Sequence, residues 1–308
     1  MDTTYVSRIL EVVITAGPVT ATTPAGYVPA TFGPNKSDTI TLQGHKISAT
    51  IEQAGSLSLP MASINIFGMT LSDMNQIASL AQIYYFSNGN IITLLAGDAI
   101  NGMSVIFSGQ LTAAFISFDD LPSDCLSLLA TNGLSAALAN VPPSSYPGGV
   151  SIATICQQIA TALNLKFENN GATTILSKQY LQGTLLDQLQ RATQAANVSY
   201  IIENGKLAIW PQGKWRTSQT EKQTISSQSG LVGYPSYTQY GVNFRTLFNN
   251  GLLYGSNVTL QSSLKPACGD WTIYNMVHTL ESITPGGAWF TDVQTCKPGF
   301  MPILTSGS

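Results

Sequence analysis

The chain has 308 residues, 44% of them hydrophobic and only 9% charged, with a formal net charge of −3. That length fits two or three domains. A charged fraction so far below the roughly 25% usual for soluble domains points to surfaces covered by partners, because interface cores are depleted in charge. The charge is uneven: through Cys125 three basic residues (Arg8, Lys36, Lys46) stand against nine acidic ones (Asp2, Glu11, Asp38, Glu52, Asp73, Asp98, Asp119, Asp120, Asp124), which leaves −6 there and +3 in the remainder. No basic patch suits nucleic-acid binding, no apolar run approaches the roughly 18 residues of a membrane span, and the opening residues, with Arg8 and Glu11, carry no signal-peptide pattern.

In chain order, residues 5–15 alternate and are rich in β-branched side chains, which predicts a strand. Residues 17–36 hold four prolines and three glycines and read as a long loop or arm. Residues 39–42 and 46–52 predict a strand pair turning at Gly44. A further strand ends at Gly68. Ser72 is placed to cap a short helix, whose Met74, Ile77, Ala78 and Ala81 make one apolar stripe. After the turn signal Asn88-Gly89-Asn90, strands are expected at 91–96, 103–107 and 110–118. Pro122 opens a new regime, and 125–138 is apolar and rich in Ala and Leu.

Pro142, Pro143, Pro147, Gly148 and Gly149 mark a break. Ser151 then opens a helix with Ile152, Ile155, Ile159 and Leu163 on one face. A strand follows at 175–180. Thr184 and Asp187 fit a capping box for a helix lined by Leu185, Leu189, Ala192 and Ala196, with Asn197 as its stop. Asn204-Gly205, between 198–202 and 207–210, is the strongest short hairpin signal. Residues 212–230 are polar and read as a linker or partner-facing loop. Strands resume at 241–247, 252–255, 258–262 and 271–282, and Pro285-Gly286-Gly287 turns the chain into a last strand at 289–296.

The same residues offer little chemistry. No GxGxxG, Walker, HExxH or G-x-S-x-G pattern is present. The two histidines, His45 and His278, have no nucleophile or orienting acid specified nearby, and His278, mid-strand, reads as structural. Asp119–Asp120 reads as a solvated turn, without the second separated carboxylate that glycoside hydrolysis needs. Four dispersed cysteines (Cys125, Cys156, Cys268, Cys296) form no C-x-x-C pair, so zinc is not expected. Cys268 and Cys296 can pair only if their strands adjoin, and free thiols are expected. Trp210, Trp215, Trp271 and Trp289 read as core or interface. Neither a catalytic residue, a metal nor a cofactor is expected.

The middle of the chain carries a family likeness. The run V-S-I-A-T-I-C-Q-Q-I-A-T-A-L-N-L, a strand, and then Y-L-Q-G-T-L-L-D-Q-L-Q-R-A-T-Q-A-A-N-V-S-Y-I-I-E-N-G-K-L-A-I-W-P resembles the baseplate hub proteins of contractile-tailed bacteriophages. V-I-F-S-G-Q-L-T-A-A-F resembles a tube-protein strand pair, and G-V-N-F-R-T-L-F-N-N-G-L-L-Y-G-S-N-V-T-L-Q-S-S with V-H-T-L-E-S and P-G-G-A-W-F-T-D-V-Q-T-C is similar to the ending of that family. The resemblance implies an α+β, mostly β chain in which two tail-tube-like antiparallel β-barrel domains (1–124 and 231–308) flank an α+β insertion (125–230). It further implies a structural homotrimer in the virion baseplate, assembled in the host cytoplasm. Its partners would be the tail tube protein, the central spike protein and the baseplate wedge proteins. DNA would pass without specific binding, and Asp38, Glu52, Asp73 and Asp98 are the acids expected to face its channel. A tube-initiating or distal tail protein, and a tail-tip cell-wall hydrolase or glycan-binding protein, are the alternative readings.

Overall fold

The computed structural model describes residues 7–17, 31–33, 35–55, 59–82, 89–100, 102–118, 124–217 and 222–300. Most of the 17–36 loop and the Asp119–Asp120 pair lie outside them. In chain order the elements are strands β1 (Arg8–Thr15), β2 (Thr39–Gln43), β3 (Lys46–Ala54) and β4 (Met61–Phe67), helix α1 (Leu71–Gln82), strands β5 (Ile91–Asp98), β6 (Gly102–Ser117) and β7 (Cys125–Thr131), helix α2 (Leu134–Leu138), strand β8 (Ser144–Ser151), helix α3 (Ile152–Ala162), strands β9 (Lys166–Asn169) and β10 (Ile175–Leu181), helix α4 (Leu185–Ala196), and strands β11 (Val198–Glu203), β12 (Lys206–Pro211), β13 (Gln223–Ile225), β14 (Leu231–Tyr237), β15 (Gly241–Leu247), β16 (Asn257–Leu260), β17 (Gly269–Ser282) and β18 (Trp289–Cys296). Two compact units divide them. One comprises Met1–Ile51, Met61–Asn132 and His278–Trp289; the other comprises Glu52–Pro60, Gly133–Val277 and Phe290–Ser308.

In the first unit the strand order is β3-β4-β7-β6-β5-β1-β2, and the part of β17 that belongs to this unit lies beside β3. From β4 through β2 the ladders are antiparallel, and their register brings the apolar face of each strand together: Val12 lies opposite Leu94, Ile14 opposite Ile92, Ile64 opposite Leu128 and Ile66 opposite Leu126. All of these side chains are fully buried. Each contributes about 1.5–3 kcal/mol by leaving water, and a one-residue slip would turn the whole set outward. Ser282 pins β3: its hydroxyl donates to the His45 carbonyl and accepts from the Ile47 N–H, both at 3.3 Å.

Three expectations change here. β2 and β3 do not pair: β2 lies against β1, and β3 lies between β4 and β17. Gly44, at φ +81°, turns the chain out of β2's ladder, and a positive φ is what glycine supplies without strain. β7, placed by sequence beyond the first domain, is a strand of this unit and pairs with both β4 and β6. Thr70, not Ser72, caps α1: its hydroxyl accepts from the Asp73 N–H at 3.2 Å and donates to the Asp73 carboxylate at 2.8 Å. Among the described residues the ladders form an open order, not a hydrogen-bonded ring.

The second unit holds two distinct cores. In the first, α3 and α4 supply Ile152, Ile155, Cys156, Ile159, Leu185, Leu189 and Ala192, and the sheet β11-β12-β9 supplies Val198, Tyr200, Ile202, Leu207 and Ile209. Local sequence dictates most of this. Ser151 caps α3, the Thr184–Asp187 capping box starts α4, and Asn197 ends it in the left-handed conformation at φ +51°. Asn204 and Gly205, at φ +45° and +73°, make the two-residue turn between β11 and β12. The Pro/Gly-rich stretch expected as a break instead contains β8, which pairs with β10.

The other core lies in the sheet β14-β15-β18-β17, extended by β16 on β17 and β13 on β16. Ile225, Val242, Phe244, Val258, Leu260, Trp271, Ile273, Met276 and Val293 fill it. The strand expected at 252–255 is a turn. Gly255, at φ +77°, lies so close to the Trp210 ring that a Cβ would approach it to 2.5 Å. Trp210 and Tyr254 meet there, ring centroids 5.8 Å apart, in a small buried cluster with Ile201 and Ala208.

Candidate functional site

Several of the residues most able to do chemistry are committed to structure. His278 is buried in β17, and burial pushes its pKa down to about 4, so the imidazole is neutral near pH 7. A closed-in imidazole of that kind does not meet a substrate. All four cysteines are free thiols. Burial raises the Cys156 thiol to about 12 and the Cys296 thiol to about 11, both far from the reactive thiolate range. Cys268 braces a loop, its sulfur accepting from the Ser262 N–H at 3.2 Å and donating to the Ser262 carbonyl at 3.1 Å. Trp210, Trp271 and Trp289 are buried, while Trp215 is exposed. No group of three or more His, Cys, Asp or Glu side chains gathers to hold a metal among the described residues.

One polar site was not legible in the sequence. Residues 212–230, expected as a linker, contain the strand β13 and a buried arginine. Arg216 grips Glu168 with two nitrogens, Nε to Oε1 at 2.7 Å and Nη2 to Oε2 at 3.1 Å, and its Nη1 donates to Glu203. Its own N–H donates to the Gly255 carbonyl at 2.7 Å. Asn170 adds a bond to Glu168 at 2.8 Å and accepts from the Thr217 N–H at 3.0 Å. Burial alone lowers the guanidinium's pKa, but the hydrogen bonds and charges of Glu168 and Glu203 outweigh it and leave Arg216 raised. The cluster ties β9, the end of β11 and the segment before β16 into one unit. Only an Arg following a strand-closing Pro hinted at it, and nothing in the pattern named its partners.

The four acids expected to face a channel are not gathered into one cluster. Asp38 is exposed beside β2 and accepts from the Thr39 hydroxyl at 3.0 Å. Asp98, at the far end of β5, accepts from the Ile100 N–H at 2.8 Å. β1 pairs with Asp98 at its Arg8 end and with Thr39 at its Thr15 end; by strand rise these ends lie roughly 24 Å apart. Asp73 is the partner of the Thr70 cap. Glu52 is exposed on β3, in the part of the chain that belongs to the second unit.

The first sheet also presents a face almost without charge. Met61, Thr131, Gln110, Ile91, Thr15 and Thr39 form one continuous row across β4, β7, β6, β5, β1 and β2. On the alternating positions of these six strands Glu11 is the one charged side chain and Cys125 the other titratable group, beside a largely Ser, Thr, Asn, Gln and aliphatic surface, and Lys46 of the neighbouring β3 lies over Phe67 at its margin. Met61, Ile91 and Phe115 stand out of it at 48%, 41% and 51% exposure. Apolar groups concentrated on an uncharged sheet face are a signature of a surface meant to be covered.

The comparisons agree with an assembly role. The model of the baseplate hub gp41 family matches residues 28–285. No curated protein sequence matches the chain. Among solved structures, a tail protein from Neisseria meningitidis MC58 is similar over 95% of this chain and 97% of its own, with a TM-score of 0.62 at 9% identity. The 43 kDa tail protein of prophage MuSo2 from Shewanella oneidensis covers 94% of this chain and 97% of its own, with a TM-score of 0.57 at 10% identity. An E. coli component of the type VI secretion system, described as structurally similar to T4 bacteriophage tail proteins gp27 and gp5, covers 84% and 76% with a TM-score of 0.56 at 9% identity. These likenesses show a shared tail-protein fold, and the family match spans most of the sequence: the chain is a member of the baseplate hub gp41 family of structural bacteriophage tail proteins.

Proposed function

We propose that this baseplate protein is the hub that joins the hexameric tail tube to the trimeric central spike and forms part of the DNA channel. Three copies, each bringing two tube-like domains around the α+β part, would match six-fold to three-fold symmetry. Wedge proteins would bind outside, and DNA would pass without specific contacts. The hub would take its place in the virion after assembly in the host cytoplasm. The family match along 28–285 carries this reading. The separate apolar cores, the scarcity of charge and the outer edge of β2, which takes no second strand among the described residues, support it, because ring closure is one way to cover sheet edges that otherwise invite aggregation.

Mass measurement and imaging of the assembled protein test the reading. Three-fold particles support the hub, six-fold particles favour a tube-initiating or distal tail protein, and a persistent monomer overturns both. The channel role has its own test. Replacing Asp38, Glu52, Asp73 and Asp98 with lysine places cations where DNA passes, and phosphate contacts then retard it. Slower DNA ejection is expected, and an unchanged rate removes these acids from the channel.

A further inference from the structure

An open groove lies in the second unit, and we propose that it binds a short acidic oligosaccharide. It is a shallow concavity of about 650 Å³ beside β14, between the turn that precedes this strand and the loop that follows β16. Among the described residues its lining is mostly uncharged and hydrogen-bonding, with Ser227, Gln228, Gln261 and Ser263 around one cation, Lys265, and one large aromatic ring, Tyr234.

Three features set it apart from ordinary surface. First, Tyr234 is 79% exposed because the backbone presents it: the β14–β15 ladder shifts register between Val232 and Ser236, Gly233 takes φ +71°, and the buried Pro235 anchors the far side of the bulge. Second, both walls are braced. On one side Ser229 donates to the Thr224 carbonyl at 2.8 Å and accepts from the Ser226 N–H at 2.8 Å, and the Leu231 N–H donates to the Ser226 carbonyl at 2.8 Å. On the other, Cys268 holds Ser262 through both its N–H and its carbonyl. Such preorganisation lowers the entropic cost of binding. Third, the side chains of Ser227, Gln228, Gln261 and Ser263 make no hydrogen bond to the described residues, so their donors and acceptors remain available to a ligand.

The chemistry selects the ligand class. A pyranose ring has an apolar C–H face for an aromatic platform and a rim of hydroxyls for neutral amides and hydroxyls. Lys265 adds a preference for a carboxylate-bearing sugar. A protein strand is a poorer occupant, since the bulge interrupts the β14 edge and Pro235 has no N–H to offer a ladder. Nucleic acid would need more than one cation.

Calorimetric titration of the full chain with an alginate hexasaccharide, with neutral maltohexaose and with a hexaglutamate peptide tests the assignment. Saturable binding of the uronate sugar is expected, weaker binding of the neutral one, and none of the peptide. Tyr234→Ala, which alters an exposed side chain, should weaken the alginate complex at least about ten-fold without changing thermal unfolding. Lys265→Gln should erase the preference for the acidic sugar. Absence of saturable binding by either sugar, unchanged affinity in Tyr234→Ala, or hexaglutamate binding as tightly as alginate would overturn the proposal.

Discussion

The α+β part of the chain and the β sheets are stabilised by the same burial of apolar surface, but they differ in how far apart the determining residues lie. In α3, α4 and the β11–β12 hairpin, a side chain usually answers one three to five positions away. Thr184 and Asp187 close a capping box, and Asn204-Gly205 reverses the chain on itself. In the sheets the partners are distant. β4 meets β7 across 58 to 70 positions, and Ile47 finds Ser282. Local interactions leave a pattern within one window of sequence, whereas long-range ones are decided only when several strands compete for the same edge.

Arg216 offers the strongest way to break this contrast, because it imposes a long-range polar tie on the locally determined part. Arg216→Ala leaves Glu168 and the buried Glu203 without their shared cation. A loss of about 3–5 kcal/mol is expected, read by urea unfolding followed through tryptophan fluorescence. Replacing Arg216 with Met and both Glu168 and Glu203 with Leu should recover most of it, since apolar groups of similar volume often substitute for a buried ion cluster without penalty. If the triple variant is as unstable as the single one, the tie acts through shape and not through charge.

His278 tests the sheet side. Its folded pKa is about 4 against an ordinary value of 6.5. Above pH 6.5 neither state carries the proton, so this residue contributes no pH dependence. Between 6.5 and 4 the unfolded chain binds a proton that the folded chain refuses, so stability falls as pH falls through that window. The loss amounts to about 3 kcal/mol by pH 4. His278→Gln should flatten the slope between pH 6.5 and 4 relative to the parent protein, while leaving the carboxylate-driven decline at lower pH. Parallel curves for the two proteins would show that protonation of His278 does not oppose folding.

The same contrast explains what was legible in the sequence. Strand positions followed from alternation, and the α+β region followed almost element by element from caps and one hairpin turn. Pairing did not follow. Gly44 looked like a hairpin turn because two alternating segments flank it, yet β2 and β3 join different neighbours. The strand β9 pairs in parallel with β12, which no turn signal announces. Arg216 looked like linker because polarity usually marks exposure, and its two glutamates lie 48 and 13 positions away. The candidate groove was hidden for the same reason: its walls come from β14 and from the loop after β16, and only folding sets Tyr234 beside Gln261 and Lys265.

Within the locally determined region, the cap of α4 should have a measurable but smaller effect. Its hydroxyl accepts from the Asp187 N–H at 3.2 Å, and the Asp187 carboxylate returns to the Thr184 N–H at 2.9 Å. Thr184→Ala should cost about 1 kcal/mol. Those bonds from the Thr184 backbone and side chain hold the Asp187 carboxyl below its usual range. Its contribution is therefore complete above the ordinary carboxylate pKa and disappears as pH falls through the lowered one. Asp187→Asn should remove that acid-limb dependence, which a pH series of unfolding curves would reveal.

The smallest effect separates two neighbouring hydroxyls. Ser72 has the right spacing to cap α1, but Thr70 makes the bond to the Asp73 N–H. The helix therefore begins two residues earlier than a cap at Ser72 would start it, and Ser72 sits inside it, exposed. An interior serine is a slightly weaker helix former than alanine. Ser72→Ala should consequently be neutral or stabilising by a few tenths of a kcal/mol, whereas Thr70→Ala should lose roughly 0.5–1 kcal/mol. The two substitutions lie two positions apart and remove similar hydroxyl groups, so a difference in their unfolding midpoints isolates the cap. Equal midpoints would return α1 to the boundary expected from spacing alone and show that capping at Thr70 carries no weight in this helix.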